Sequence, residues 1–264
     1  MDLGLKDKVA IVTASSKGLG KACALGLARE GAKVVICARD ENDLQKAKNE
    51  IERNADNEIM AVRADVTKYE DIKNLVKSTV EKFGTVHILV TNAGGPPSGY
   101  FENFSDDDWN NAFNLNFMST VRLIREVLPY MKTQRWGRII NITSVTVRQP
   151  IDNLILSNSI RMSVVGLAKT LALQLAKYNI LINNVAPGYT LTDRVKYVIE
   201  QRASESGKTF DEIKSELAKD IPLGRLAEPE ELANLVVFLA SERASYITGT
   251  TARLELYFYR SEIV

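Results

Sequence analysis

Histidine is nearly absent from this sequence, cysteine is scarce, and neither sign of charge is in excess. One histidine and two cysteines stand among 264 residues. A zinc site of the usual imidazole and thiolate ligands cannot be assembled from that inventory. Cys23 and Cys37 are isolated among apolar residues, so the expectation is two buried, reduced thiols rather than a disulfide or a nucleophile. His87 falls in the apolar run VHILV and reads as a strand residue, not a catalytic base. With 34 basic and 33 acidic side chains the net charge is +1, which lacks the electrostatic footprint of a nucleic-acid binder. No apolar run approaches the ~20 residues of a membrane span, and the opening MDLGLKDK has no apolar signal core. The expectation is a soluble, cytoplasmic protein with no metal and with neither nucleic acid nor membrane as partner. Its chemistry must come from hydroxyls, carboxylates, amides, Lys or Arg, or from a bound cofactor.

What is present is a rhythm. Apolar residues make up 45% of the chain and charged residues 25%, the balance of a globular protein. Short β-branched runs at Val9–Ala14, Lys33–Ala38, Ile59–Ala64, Val86–Thr91, Arg138–Thr143 and Ile180–Val185 predict strands. Several are apolar throughout, as strands covered on both faces must be. Between them, residues 18–30, 40–54, 69–83, 106–132, 153–178 and 228–241 read as helices. Strand–helix alternation on this scale predicts an α/β fold, a Rossmann-type doubly wound parallel sheet with helices on both faces, as one domain over residues 1–264. Residues 188–228 break the rhythm with a polar, charged stretch. A segment of that length after a strand reads either as a substrate lid or as a solvated helical excursion.

The first strand runs into Thr13-Ala14-Ser15-Ser16-Lys17-Gly18-Leu19-Gly20, followed by a helix. A strand, a tight glycine turn and a helix N-terminus aim backbone N–H groups and the positive end of a dipole at an anion. Two glycines alone would suit an ordinary turn. Behind the first strand of an alternating chain they predict dinucleotide binding. After the second strand, Ala38 and Arg39 occupy the point where a carboxylate would hold a ribose 2′-hydroxyl and a cation a 2′-phosphate. Arg39 and Lys17 together favour NADP over NAD, while Asp40 reads as the cap of the next helix.

These and later motifs resemble the short-chain dehydrogenase/reductase family over nearly the whole chain, above all its 3-oxoacyl-(acyl carrier protein) reductases and related sugar or alcohol dehydrogenases. TASSKGLG is similar to the family's TGxxxGxG, with Ala14 in place of the first glycine. Asp65-Val66 matches the dipeptide that holds the adenine, and Thr91-Asn92-Ala93-Gly94 resembles NNAG. In Asn114-Leu115-Asn116-Phe117 the second asparagine, Asn116, stands where the family has a catalytic one. Asn141-Ile142-Thr143-Ser144 resembles the segment ending in the catalytic serine. Pro187-Gly188, with Thr190 and Thr192, resembles the stretch that touches the nicotinamide. The resemblance implies hydride transfer between NADP(H) and a carbonyl or alcohol, and a homo-oligomer, tetramer or dimer.

One departure falls in the reacting centre. Thirteen residues beyond the serine the family has a tyrosine, and four further on a lysine; here these positions are Ser157 and Arg161. Four apart on a helix, they share a face. An alkoxide formed by hydride transfer needs a proton donor, and a serine or an arginine is a far poorer acid than a tyrosine beside a cation. Tyr189, Tyr100 and Asp152 are candidate replacements. Two readings stand: an oxidoreductase drawing its proton from water or another acid, and a nucleotide-binding protein that serves as redox sensor or assembly partner. The tail also departs, since Leu254-Glu255-Leu256-Tyr257 replaces the family's VDGG; its β-branched and aromatic residues predict an extended edge strand.

Overall fold

The computed structural model describes residues 2–55 and 57–254. Seven parallel strands, β1 (Val9–Val12), β2 (Lys33–Ala38), β3 (Ile59–Arg63), β4 (Ile88–Thr91), β5 (Gly137–Ile142), β6 (Ile180–Ala186) and β7 (Thr251–Arg253), form one sheet in the order β3-β2-β1-β4-β5-β6-β7. Because successive side chains on a strand point to opposite faces, the apolar runs feed two cores. Ala10, Val12, Val34 and Ile36 pack under α1 (Gly18–Arg29), α2 (Glu41–Asn54) and α9 (Pro229–Ala240). Ile11, Val35, Leu89 and Ile182 pack under α3 (Tyr69–Phe83), α5 (Ser119–Gln134) and α6 (Ile155–Leu175). The doubly wound sheet is as the alternation predicts.

Chain order runs outward from β1 to β3 and then returns to β4 on the other side of β1. At such a reversal the connections after β1 and β4 leave toward opposite faces and open a crevice beyond the strands' carboxyl ends. The motifs of the sequence converge there. His87, one residue before β4, lies at the opposite end of the sheet, where its Nδ1 accepts the Val9 N–H at 3.0 Å. Burial holds its pKa down to about 4, so the ring is neutral at pH 7.

The helix predicted over 106–132 is interrupted. Ser105 caps α4 (Asp106–Phe113), and a π-helical turn over Asn114–Met118 joins it to α5. The predicted excursion over 188–228 is helical, with α7 (Asp193–Ser206) and α8 (Phe210–Ala218). Leu191, Ile199, Ile213, Ile221 and Leu226 give it a small core of its own. Its neck is closed by backbone bonds, Leu191 N–H to Ala227 O at 2.8 Å and Ala227 N–H to Tyr189 O at 3.0 Å. Cys23 and Cys37 are buried free thiols, pushed up to about 12 by burial and therefore unreactive. Among the described residues no helix is long and apolar enough to cross a membrane, and no cluster of His, Cys, Asp and Glu forms a metal site. The edge strand predicted for the tail lies beyond the described residues.

Candidate active site

Beyond β1 the chain turns sharply through Ala14, at φ 47°, and Gly18, at φ 54°, both left-handed. Ser15 ties this turn to β2: its Oγ donates to Val12 O at 2.7 Å and accepts the Cys37 N–H at 3.0 Å. Thr13 and Asn92 tie it to β4. Thr13 Oγ1 donates to Asn92 O at 2.7 Å and accepts the Asn92 N–H at 2.8 Å, while Asn92 Nδ2 donates to Ala14 O at 3.1 Å. Three sequence-predicted cofactor residues thus spend their side chains on holding the turn.

Gly20 shows how closely the turn is drawn in. A Cβ there would stand 2.4 Å from Ala14 O and 2.8 Å from Asn92 Nδ2. Lys17 precedes α1 without a side-chain cap, which leaves the helix's first-turn amides, at Gly18 and Leu19, for another acceptor. A Cβ on Gly94 would meet nothing within 4 Å. The turn opens on a cleft of about 810 Å³ lined by Ser16, Lys17, Arg39, Asp65, Val66, Ala93 and Gly94 among others. That volume lies in the range of small-molecule and cofactor sites.

At the far end of the cleft the two predicted cations meet two carboxylates. Lys17 Nζ pairs with Asp43 at 2.6 Å, and the hydrogen bond with its charge raises the lysine pKa. Asp40 caps α2 by accepting the Asp43 N–H at 2.8 Å, as predicted. Arg39 lines the cleft with its carbonyl bonded to Arg63 Nε at 3.0 Å, which brings a second guanidinium, and so a third cation, close by. Burial pushes the Asp65 carboxyl upward, but bonds from the Thr67 N–H and hydroxyl and the charge of Arg39 outweigh it and hold the pKa low.

The residues matched to the family's reacting centre do not line that cleft; they meet it at Gly94 and Leu115, beside Asn116. Asn116 sits in the π turn, an irregularity found frequently at functional sites. Its Nδ2 donates to Gly94 O at 3.0 Å, and its buried Oδ1 has no partner among the described residues. Ser144 follows β5 and accepts the Thr146 N–H at 3.2 Å, capping a short turn. Ser157, on α6, lies 3.2 Å from the hydroxyl of Thr146, a residue the motif reading passed over. Arg161, one turn on, is buried and donates to Ile142 O at 3.1 Å. Burial, and then repulsion from Arg194, push its pKa down to about 10, which leaves it cationic at pH 7.

Beyond β6, Pro187 O accepts the Val145 N–H at 2.8 Å, and Thr190 Oγ1 donates to Gly188 O at 3.4 Å. Thr192 caps α7 and lies against Gly18, its Cγ2 3.4 Å from where a Cβ on Gly18 would stand. The excursion is thereby anchored beside the glycine turn. Of the three candidate acids, Tyr100 and Asp152 are exposed. The loop before Tyr100 is pinned to the loop after Asp152 by a bond from Gly99 N–H to Asn153 O at 2.7 Å.

A family model described as Enoyl-(Acyl carrier protein) reductase matches residues 13–254. A 3-oxoacyl-[acyl-carrier-protein] reductase of Staphylococcus epidermidis is 34% identical over 245 residues, 93% of this chain and 96% of that protein. An uncharacterized oxidoreductase of Bacillus subtilis is 33% identical over 99% of this chain and all of its own length. Among solved structures, L-sorbose reductase from Gluconobacter frateurii, complexed with NADPH and L-sorbose, superposes with a TM-score of 0.93 at 34% identity, covering 96% of this chain and 97% of that one. The chain belongs to the short-chain dehydrogenase/reductase family of oxidoreductases.

Proposed function

We propose that the protein is an NADP(H)-dependent oxidoreductase that moves hydride between the nicotinamide and a small carbonyl or alcohol substrate. The observation that carries this reading is the glycine turn, packed too tightly for any side chain at Gly20 and opening on a cleft with uncapped amides at one point and Lys17 and Arg39 at another. Thr13, Ser15, Asn92 and Gly20 shape the turn, while Ser16, Gly18 and Leu19 present it to a diphosphate. Asp65, Val66, Ala93 and Gly94 flank the adenosine, and Lys17 and Arg39 face the 2′-phosphate. Pro187, Gly188, Thr190 and Thr192 border the nicotinamide, with residues 188–228 as the lid of a single-domain enzyme. NADPH-bound relatives such as the L-sorbose reductase support the choice of coenzyme.

The coenzyme, when bound, supplies the hydride. The chain's own task is the oxygen of the substrate, where negative charge develops and a proton must arrive. Ser144 and the Ser157–Thr146 hydroxyl pair donate hydrogen bonds there, and Arg161 stabilises the charge without giving up its proton. The proton comes from water through the hydroxyl pair. Asn116 fixes the Gly94 loop against the π turn. An apolar groove on α5 and α6, lined by Ile124, Leu128, Leu167 and Leu171, supports assembly as a homo-oligomer, tetramer or dimer. The reading places the enzyme in the cytoplasm.

The test follows NADPH consumption at 340 nm against 3-oxoacyl thioesters, ketoses and simple ketones. Turnover of at least one class is the expected result. Tight NADPH binding with no turnover would instead support the sensor or assembly reading, which the lack of a phenol at position 157 favours.

A further inference from the structure

The excursion over residues 188–228 reaches into the cleft through one side chain. Of the residues that line the cavity of about 810 Å³, Arg194 alone comes from that excursion; the others come from the carboxyl ends of β1 to β4, from α2 and from the π turn. Arg194 stands in the first turn of α7. Two residues before it, Thr192 packs on Gly18 at the start of α1, its Cγ2 3.4 Å from where a Cβ on that glycine would stand. Arg194 extends to the opposite lip, its Nη1 3.4 Å from the corresponding point on Gly95. Gly18 follows β1 and Gly95 follows β4, so the first turn of α7 spans the crevice where the strand order reverses.

What spans it is a cation with no partner. Arg194 is exposed and has no ion pair or hydrogen bond among the described residues. Its neighbour Asp193 lines a separate cavity of about 200 Å³ against α1, with Lys21 and Lys196. The acids of the cleft are committed elsewhere: Asp43 to Lys17, Asp40 to the cap of α2, Asp65 to Thr67. The amides of Gly18 and Leu19, which lack a side-chain cap, open α1 at the point that Thr192 touches. Residues two apart lie at most ~7 Å from each other, within the reach of an arginine side chain. The guanidinium and the α1 amides are thereby set to grip one anion from two sides.

We infer that Arg194 clamps the diphosphate of the coenzyme against the start of α1. A guanidinium is planar, always charged and able to donate two parallel hydrogen bonds to phosphate oxygens, while the helix amides supply the opposing donors. The inference rests on the coenzyme reading above and adds a division of labour to it. Lys17 and Arg39 serve the 2′-phosphate that NADPH alone carries; Arg194 serves the diphosphate that NADPH and NADH share.

The experiment titrates NADPH, NADH and ADP-ribose by calorimetry into the full chain and into its Arg194→Gln variant. ADP-ribose carries the diphosphate without the nicotinamide, and neither it nor NADH carries the 2′-phosphate. The variant is expected to lose about tenfold in affinity for all three ligands, by a common factor. Its Tm is expected to hold, because an exposed side chain without partners supports no part of the fold. Unchanged affinity for all three overturns the clamp. A loss confined to NADPH would move Arg194 to the 2′-phosphate, and a loss that spares ADP-ribose would move it to the nicotinamide; either result overturns the assignment. A wild-type chain that binds none of the three overturns the coenzyme reading and the clamp with it, whereas wild-type binding with an unaffected variant removes the clamp alone.

Discussion

Replacing Gly20 by alanine adds one methyl group at the most crowded point of the glycine turn. That carbon would lie 2.4 Å from Ala14 O, 2.8 Å from Asn92 Nδ2 and 2.9 Å from Ser15 Cα, and two of these three atoms are backbone. Real Cβ contacts do not approach so closely, so the turn must open. Opening it separates Ala14 O from Asn92 Nδ2, now 3.1 Å apart, and strains the Thr13–Asn92 pair. Overpacking of this kind costs about 1–3 kcal/mol, and a lost hydrogen bond about 1 kcal/mol more. Alanine's better helix propensity returns about 1 kcal/mol. The net expectation is a destabilisation of about 1–3 kcal/mol, read as a lower midpoint in urea at unchanged slope. The same displacement moves the α1 amides away from the diphosphate, so NADPH affinity is expected to fall about tenfold or more in a fluorescence titration. A Gly20→Ala protein with wild-type stability and wild-type NADPH affinity would refute the reasoning.

Ala14 holds a left-handed conformation that suits glycine, so Ala14→Gly is expected to stabilise the fold by about 0.5–1 kcal/mol. Calorimetric Tm checks this, and a lower Tm would contradict it. Lys17 must leave Asp43 before it reaches a 2′-phosphate; Asp43→Asn removes that exposed pair and is expected to tighten NADPH binding up to about fivefold with little change for NADH. Ser157→Tyr combined with Arg161→Lys restores an acid beside a cation and is expected to raise carbonyl reduction by about 10²-fold; no gain in a folded double variant would mean that the proton does not limit turnover. His87 titrates near pH 4 in the folded protein against 6.5 unfolded, so the unfolded chain takes up the proton first. Stability is therefore full above about pH 6.5 and lost as pH falls toward 4, by about 1–2 kcal/mol after allowing for the ring's partial exposure. Urea midpoints at pH 7 and 4.5, with His87→Gln as the variant lacking the titration, measure this, and equal pH slopes in the two proteins would count against it.

The sheet was legible because its strands are buried on both faces, and such strands write themselves as continuous apolar runs. Val9–Val12 and Ile180–Ala186 are buried at every position. The glycine turn was legible for a similar reason: backbone too crowded for a side chain at Gly20 leaves a glycine in the sequence. The break in the helix over 106–132 was not, because the π turn at Asn114–Met118 keeps helical dihedrals and an unbroken polar and apolar pattern on either side. Asp43 escaped notice because its pairing with Lys17 joins two elements 26 positions apart. The small core of Leu191, Ile199, Ile213 and Leu226 was hidden by the polar residues between its members.

Everything proposed for the cleft depends on its holding a phosphorylated pyridine coenzyme. Calorimetric titration of the full chain with NADPH, and then with NADH, measures that dependence directly. The account predicts one site per chain, occupied about tenfold more tightly by NADPH than by NADH because Lys17 and Arg39 meet the 2′-phosphate. No heat from either coenzyme, or tighter binding of NADH, would contradict it.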